Sequence, residues 1–286
     1  MTAHDRRLHA FRADLADARL KGQVSAERFV TGRPARITAS VADVKKEPRA
    51  DSGIDTQLIH GDDVLVFDET PGWVWMQCER DGYVGYVAEA DIGPREHAPT
   101  HRVIAPRSFI YPGADLRFAR AGELSMGSLV TVVGHAETRG TRYALLPSGQ
   151  AVIGSHLAPL DHAADDFVAV AEKLINTPYL WGGVSGFGID CSGLAQLSLL
   201  MAGRKVLRDS DMQAASIGEP VATGEDYSGL QRGDLVFWSG HVAIMTDAEN
   251  IIHASGNTMM VTREPLKDAI ERILPQYGAP SVFRRL

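Results

Sequence analysis

Thr177-Pro-Tyr-Leu-Trp-Gly-Gly-Val-Ser-Gly-Phe-Gly-Ile-Asp190-Cys191-Ser192-Gly193 places a single cysteine behind a glycine-rich turn and ahead of an apolar run. Leu194, Leu197, Leu200 and Met201 then recur at helical spacing until Gly203, which predicts a helix beginning close to Cys191. A thiol there faces unpaired backbone N–H groups and the positive end of the helix dipole, so the position is expected to favour thiolate. Downstream, Gly240-His241-Val-Ala-Ile-Met-Thr and Asn250-Ile-Ile-His253-Ala-Ser each set one histidine in a short apolar run that reads as a strand. Asp247-Ala-Glu-Asn250 supplies a turn between them, so the two strands are expected to form an antiparallel hairpin that aligns the imidazoles.

Acyl transfer by a cysteine needs a thiol, an imidazole to take its proton and a polar group to orient that imidazole. Cys191 is the candidate nucleophile, His241 the candidate base, and His253 the group that holds the far ring nitrogen. Each residue alone has a plainer explanation, since free cysteines and lone strand histidines are most often packing residues. Their order, with the cysteine at a helix start and the histidines on later strands, argues instead for a cysteine peptidase. The other cysteine, Cys78, lies in an alternating strand pattern and reads as structural. His60, His97, His101, His135, His156 and His162 show no ligand spacing, so neither a metal nor another cofactor is expected.

Composition narrows the alternatives. The 286 residues are 44% hydrophobic, enough for an ordinary core and for two or three domains. A formal net charge of -7 without a basic cluster disfavours nucleic-acid partners. No apolar run is long enough to suggest a membrane span. The first residues, Met-Thr-Ala-His-Asp-Arg-Arg-Leu-His, carry charges where a signal peptide would need an apolar core. Two cysteines in different segments exclude a disulfide scaffold. A cytoplasmic location is the expectation that follows.

Residues 1–35 read as an N-terminal arm with a short amphipathic helix built on Leu8, Phe11, Leu15, Ala18 and Leu20. From Arg36 the pattern is β: Ile37 to Val44, Gln57 to Val66, Trp73 to Gln77 and Gly82 to Val87, separated by turn residues. Residues 36–95 resemble a bacterial SH3-like domain through Gly61-Asp-Asp-Val-Leu-Val66, Gly72-Trp73-Val-Trp-Met-Gln and Asp81-Gly-Tyr83-Val-Gly-Tyr86-Val. Residues 96–160 repeat the strand lengths (Val103 to Tyr111, Gly127 to Gly134, Arg142 to Leu146, Ala151 to Gly154) without those signatures, as a degenerate second copy. Residues 161–286 combine helices at Asp165 to Ile175 and after Cys191, a polar loop from Arg204 to Gly229, and strands at Asp234 to Trp238, His241 to Thr246, Ile251 to Ala254, Met259 to Arg263 and Ser281 to Arg284. The expected fold class is α+β, with two small all-β barrels ahead of the cysteine domain.

Pro178-Tyr-Leu-Trp-Gly-Gly, Asp190-Cys-Ser-Gly193, Leu207-Arg-Asp-Ser-Asp-Met-Gln213, Arg232-Gly-Asp-Leu-Val-Phe-Trp238, Gly240-His-Val-Ala-Ile and Ile252-His-Ala together resemble the NlpC family of papain-like cell-wall peptidases. The resemblance implies a catalytic set of Cys191, His241 and His253. It also implies cleavage between γ-linked D-glutamate and the following diamino acid of murein peptides such as L-Ala-γ-D-Glu-diaminopimelate, in recycling or nutrition. Asp190, Ser192, Asp209 and Ser210 would then contact the free amine and carboxylate of the dipeptide, and Tyr179 and Trp181 would shape the pocket. Glu47 and Tyr83 of the first SH3-like domain would close it. Asp190 as a helix cap, Asp209 and Ser210 as turn residues, and Tyr179, Trp181 and Tyr83 as core aromatics are the alternatives for these contacts. For the whole chain the alternatives are a cysteine acyl hydrolase or transferase using another acyl donor, and a non-catalytic wall-binding module.

Overall fold

The computed structural model describes residues 4–224 and 226–286. The chain divides into two compact units, Met1–Asp161 and His162–Leu286. Among the described residues no helix is long and apolar enough to cross a membrane.

The first unit is built on a seven-stranded antiparallel sheet whose spatial order is Ile54–Ile59, Val41–Lys45, Val84–Ala88, Trp73–Cys78, Asp63–Thr70, Arg33–Ile37 and Ile92–Gly93. Alternate residues of nearly every strand, among them Ile37, Val44, Leu58, Val64, Met76 and Val87, meet in one buried cluster, so the sheet wraps around a single core. Cys78 belongs to that cluster. Two expected strands are each divided in two. Gln57 to Val66 breaks at Gly61, whose φ of +89° only glycine adopts readily, and a Cβ there would lie 2.5 Å from the Leu129 carbonyl oxygen. Ile37 to Val44 breaks at a turn between Arg33–Ile37 and Val41–Lys45. Farther along, Pro106 interrupts the expected strand Val103 to Tyr111, leaving His101–Val103 and Arg107–Tyr111 in different sheets. Val103, Leu124, Val130 and Val152 form a second buried cluster inside a five-stranded and a three-stranded sheet.

The N-terminal arm is not an amphipathic helix. Its described residues form a strand, Leu15–Asp17, a 3₁₀ turn, Ala18–Leu20, and a strand, Arg28–Val30, that pairs in parallel with the first. Tertiary contacts outweigh local periodicity here. Ala10 and Leu15 are buried in one cluster with Phe67 and Trp75. The Arg12 guanidinium lies 4.4 Å from the Trp75 ring centroid and donates to Tyr86 Oη and an Asp68 carboxylate oxygen.

The second unit carries a six-stranded antiparallel sheet in the order Glu219–Pro220, Val282–Arg285, Leu235–Trp238, His241–Met245, Asn250–Ser255 and Met260–Pro265. Helix α1 (Phe167–Glu172) starts at Asp166, whose carboxylate accepts from the Val168 N–H. Helix α2 (Cys191–Met201) is buried along nearly its whole length and packs on α1 and on the two histidine strands. The expected loop Arg204 to Gly229 contains a further helix, α3 (Ser210–Ser216). The strand pattern also does not anticipate α4 (Leu266–Tyr277), which sets Leu266, Ala269 and Ile273 against Val236, Ala243, Met245 and Ile251 of the sheet.

Trp75 anchors the arm from within the sheet, so Trp75→Ala should lower the stability of the first unit by about 3–5 kcal/mol. Urea unfolding followed by circular dichroism checks this, and an unchanged midpoint would show that the arm contributes nothing.

Candidate active site

The cysteine turn is held by backbone contact and one carboxylate. A Cβ on Gly193 would lie 2.2 Å from the Gly183 carbonyl oxygen, and one on Gly183 would lie 2.6 Å from that of Gly188. These glycines therefore let three backbone segments meet at the start of α2. Asp190 caps that helix: its Oδ1 accepts from the Gly193 N–H at 2.7 Å and from Ser192 Oγ at 3.2 Å, and its Oδ2 accepts from the Gly182 N–H at 2.9 Å. Arg208, 1% exposed, adds Nη1 to Oδ1 at 3.0 Å and Nη2 to Oδ2 at 2.7 Å, and its Nη1 also donates to Ser192 Oγ at 2.7 Å. Gln213 Nε2 donates to the carbonyls of Ser192 and Leu207 at 3.0 Å each, tying α3 to the same turn. Cys191 is thus the first helical residue of a fully braced element.

The two histidine strands form the expected hairpin, with Ile244 opposite Ile252 and Met245 opposite Ile251. Continuing that register puts His241 and His253 on the same face as diagonal neighbours. His241 Nε2 lies 2.8 Å from His253 Nδ1, and His253 Nε2 lies 2.6 Å from Glu264 Oε1. Glu264 in turn is ion-paired with Arg272 of α4. A cavity of about 330 Å³ within the second unit is lined by Cys191, His241 and His253, with Tyr179, Trp181 and Arg272 around them.

Burial sets the protonation of the pair. It pushes the Cys191 thiol up to about 12, aided by the Asp190 charge, and the Val242 backbone N–H, the Arg208 charge and the Ser192 backbone N–H at the helix start offset only part of this. The expected thiolate preference is therefore overturned: desolvation of a thiol 8% exposed outweighs the helix terminus. Burial likewise lowers His241 to about 3, reinforced by His253 and Arg272. At neutral pH the pair rests as thiol and neutral imidazole, so a nucleophilic role for Cys191 requires proton transfer to accompany attack.

The other candidates are placed as follows. Tyr179 and Trp181 line the cavity, Trp181 being 70% exposed. Asp190 and Ser192 are buried and engaged with Arg208. Asp209 is the N-cap residue of α3 and Ser210 its first residue, both half-buried. In the first unit, Glu47 is exposed and ion-paired with Arg49, and Tyr83 is buried at 4% exposure. Four residues escaped the sequence reading: Arg208, Gln213, Glu264 and Arg272. The first two stand inside a quoted motif. Glu264 lies two positions along its strand from Thr262, the partner of His253, so alternation alone puts it on the His253 face.

A helix-borne thiol beside a histidine pair on an antiparallel sheet defines a papain-like cysteine-peptidase domain. Residues 176–272 match the NlpC/P60 family, and residues 44–92 match the bacterial dipeptidyl-peptidase Sh3 domain. The chain thus carries an NlpC/P60 domain with a bacterial SH3 domain ahead of it. It is 26% identical over 231 residues to a γ-D-glutamyl-L-lysine dipeptidyl-peptidase of Bacillus cereus, covering 70% of this chain and 67% of the relative. A protein of the same name from Bacillus subtilis is 25% identical over 227 residues, covering 71% and 73%. A crystal structure of an NlpC/P60 family protein from Bacillus cereus shares the fold with a TM-score of 0.72 at 22% identity, over 88% of this chain and 99% of that one.

Two outcomes follow from the electrostatics. Cys191 lines a cavity whereas Cys78 is 1% exposed with its thiol raised well above the usual value by burial, so iodoacetamide should modify Cys191 first in native protein. Peptide mapping after partial alkylation reads the order. His241 binds its proton at about 3 when folded and near 6.5 when unfolded, so its contribution to stability is complete above about 6.5 and disappears as pH falls toward 3. Wild type should therefore lose stability relative to His241→Gln across that window, and a difference in melting temperature that stays constant from pH 7 to pH 4 would contradict it.

Proposed function

We propose that the protein is a cysteine endopeptidase that cleaves the γ-D-glutamyl–L-diamino acid bond of murein peptides bearing a free N-terminal L-alanine. The observation that carries this reading is the convergence of Cys191, His241 and His253 on one cavity, with the two imidazoles 2.8 Å apart. The names of the two Bacillus relatives support the choice of bond. Cytoplasmic peptide recycling belongs to the same reading, and cell fractionation with an antibody to the chain tests it. So does a division of the chain into an arm, 1–35, two SH3-like barrels, 36–95 and 96–160, and a peptidase domain, 161–286; two of the separate buried clusters of the first unit, one within each span, support the pair of barrels.

In this mechanism Cys191 Sγ attacks the γ-carbonyl carbon of D-glutamate as its proton passes to His241. The carbonyl oxygen takes up the displaced electron pair, and backbone N–H groups at the start of α2 stabilise the charge. The C–N bond then breaks, His241 protonates the departing amine of the diamino acid, and a thioester remains on Cys191. A water molecule, deprotonated by His241, hydrolyses that thioester and releases L-Ala-γ-D-Glu with the thiol restored. Tyr179 and Trp181 shape the pocket. Asp209 and Ser210, with Asp190 and Ser192 behind them, are the side chains of the second unit assigned to the amine and carboxylate of the dipeptide.

A charged amine site makes acetylation of the N-terminal alanine costly, on the order of 3 kcal/mol, or roughly 150-fold in kcat/KM. Intact murein, whose stem alanine is acylated, should then be a poor substrate. Mass spectrometry of products from L-Ala-γ-D-Glu-diaminopimelate and its N-acetyl form measures this, with Cys191→Ala and His241→Ala as inactive controls and His253→Gln retaining part of the activity. Equal kcat/KM for the two peptides would rule out the amine site, and full turnover by Cys191→Ala would rule out the mechanism.

A further inference from the structure

His253 stands between two partners, and one of them can only accept. Burial raises the Glu264 carboxyl, but the hydrogen bond from His253 and the charge of Arg272 outweigh it and hold the group below the usual carboxylate range. Glu264 is therefore ionised at neutral pH and offers no proton. Its Oε1 lies 2.6 Å from His253 Nε2, so Nε2 must carry the hydrogen of that bond. In its neutral form, with one N–H and one lone pair, His253 then keeps the lone pair on Nδ1. That atom lies 2.8 Å from His241 Nε2, which must then be the donor. By the same count, the lone pair of His241 falls on Nδ1, the only ring nitrogen left to receive the thiol proton.

We infer that Glu264 is the positioning residue of a four-membered relay, Cys191–His241–His253–Glu264, and that its carboxylate sets the tautomers of both histidines so that His241 Nδ1 is the base. This rests on the peptidase reading above. Arg272 keeps the relay polarised: its guanidinium engages the same Oε1 that accepts from His253, so the carboxylate stays charged and its rotamer is fixed. Neither residue touches the reacting atoms through this role. When His241 takes the thiol proton it becomes a cation, and the chain of hydrogen bonds through His253 ends on a negative charge that stabilises it. The third polar group of the site is thus itself oriented from behind, and a neutral His253 without Glu264 would be free to adopt the tautomer that donates from Nδ1. That reversal would force His241 to present an N–H to the thiol.

Glu264→Leu should lower kcat by at least about 100-fold with KM within threefold, because the wrong tautomer removes the base without touching the substrate site. Glu264→Gln keeps an oxygen that can accept from His253 and Arg272 but loses the charge, and should cost about tenfold. The readout that separates positioning from packing is the ¹⁵N spectrum of protein labelled at histidine, compared with a His253→Gln reference for assignment. In wild type at pH 7 both His241 and His253 should carry their hydrogen on Nε2, and in Glu264→Leu His253 should shift toward the Nδ1–H form. Iodoacetamide alkylation of Cys191 should slow in parallel with kcat, which provides an activity-independent measure should the murein peptide prove not to be the substrate. Wild-type His253 found as the Nδ1–H tautomer or as a cation would overturn the inference. So would unchanged alkylation in Glu264→Gln together with Glu264→Leu, or, if the leucine variant does not fold, in the isosteric variant alone with an unaltered histidine spectrum.

Discussion

The buried ion pair between Asp190 and Arg208 is the constraint on which the second unit depends. Asp190 satisfies backbone donors of two chain segments, Gly182 and Gly193, while neutralising a guanidinium that is almost wholly removed from water. A buried pair of this kind is costly to break, on the order of 3–5 kcal/mol, because the remaining charge is stranded. Without it, the glycine turn and the first turn of α2 lose their common anchor, and Cys191 loses its position. Gln213 extends the bracing by bonding to carbonyls on both sides of the same junction. One residue therefore does at this site what a metal or disulfide does in smaller scaffolds.

In the proposed mechanism that rigid setting lets the Cys191 thiol act as nucleophile while its resting form is protonated. Cys191 and His241 are both removed from solvent, which disfavours the thiolate and the imidazolium. The same burial strengthens interactions formed as charge develops in the proposed attack. In the proposed mechanism the helix start, the histidine pair and the Glu264 carboxylate lie along the path that charge takes, which reserves stabilisation for the transition state rather than for the resting enzyme.

Away from the site, the first unit shows how a single aromatic residue reorganises a segment. Trp75 presents an apolar face to Ala10 and Leu15 and a π-face to Arg12. The arm therefore gains more from lying on the sheet as short extended pieces than from closing its own helical hydrogen bonds. Its apolar residues are spaced as a helix would need, and that spacing carries no information about the partner surface.

Local chemistry was readable in the chain alone. The cysteine at a helix start, the glycines behind it, the hairpin that pairs His241 with His253, and the curled sheet around Trp73 to Cys78 all follow from residues within a few positions of one another. Their causes are local: turn conformations, alternation and capping. What only the tertiary structure decided depends on residues far apart in sequence. Arg208 claims Asp190, Glu264 and Arg272 complete the histidine pair, α4 covers the sheet face, and burial reverses the protonation expected for Cys191. Each of these is a matter of which charges share a low-dielectric space, and distance in that space is set by packing rather than by position along the chain.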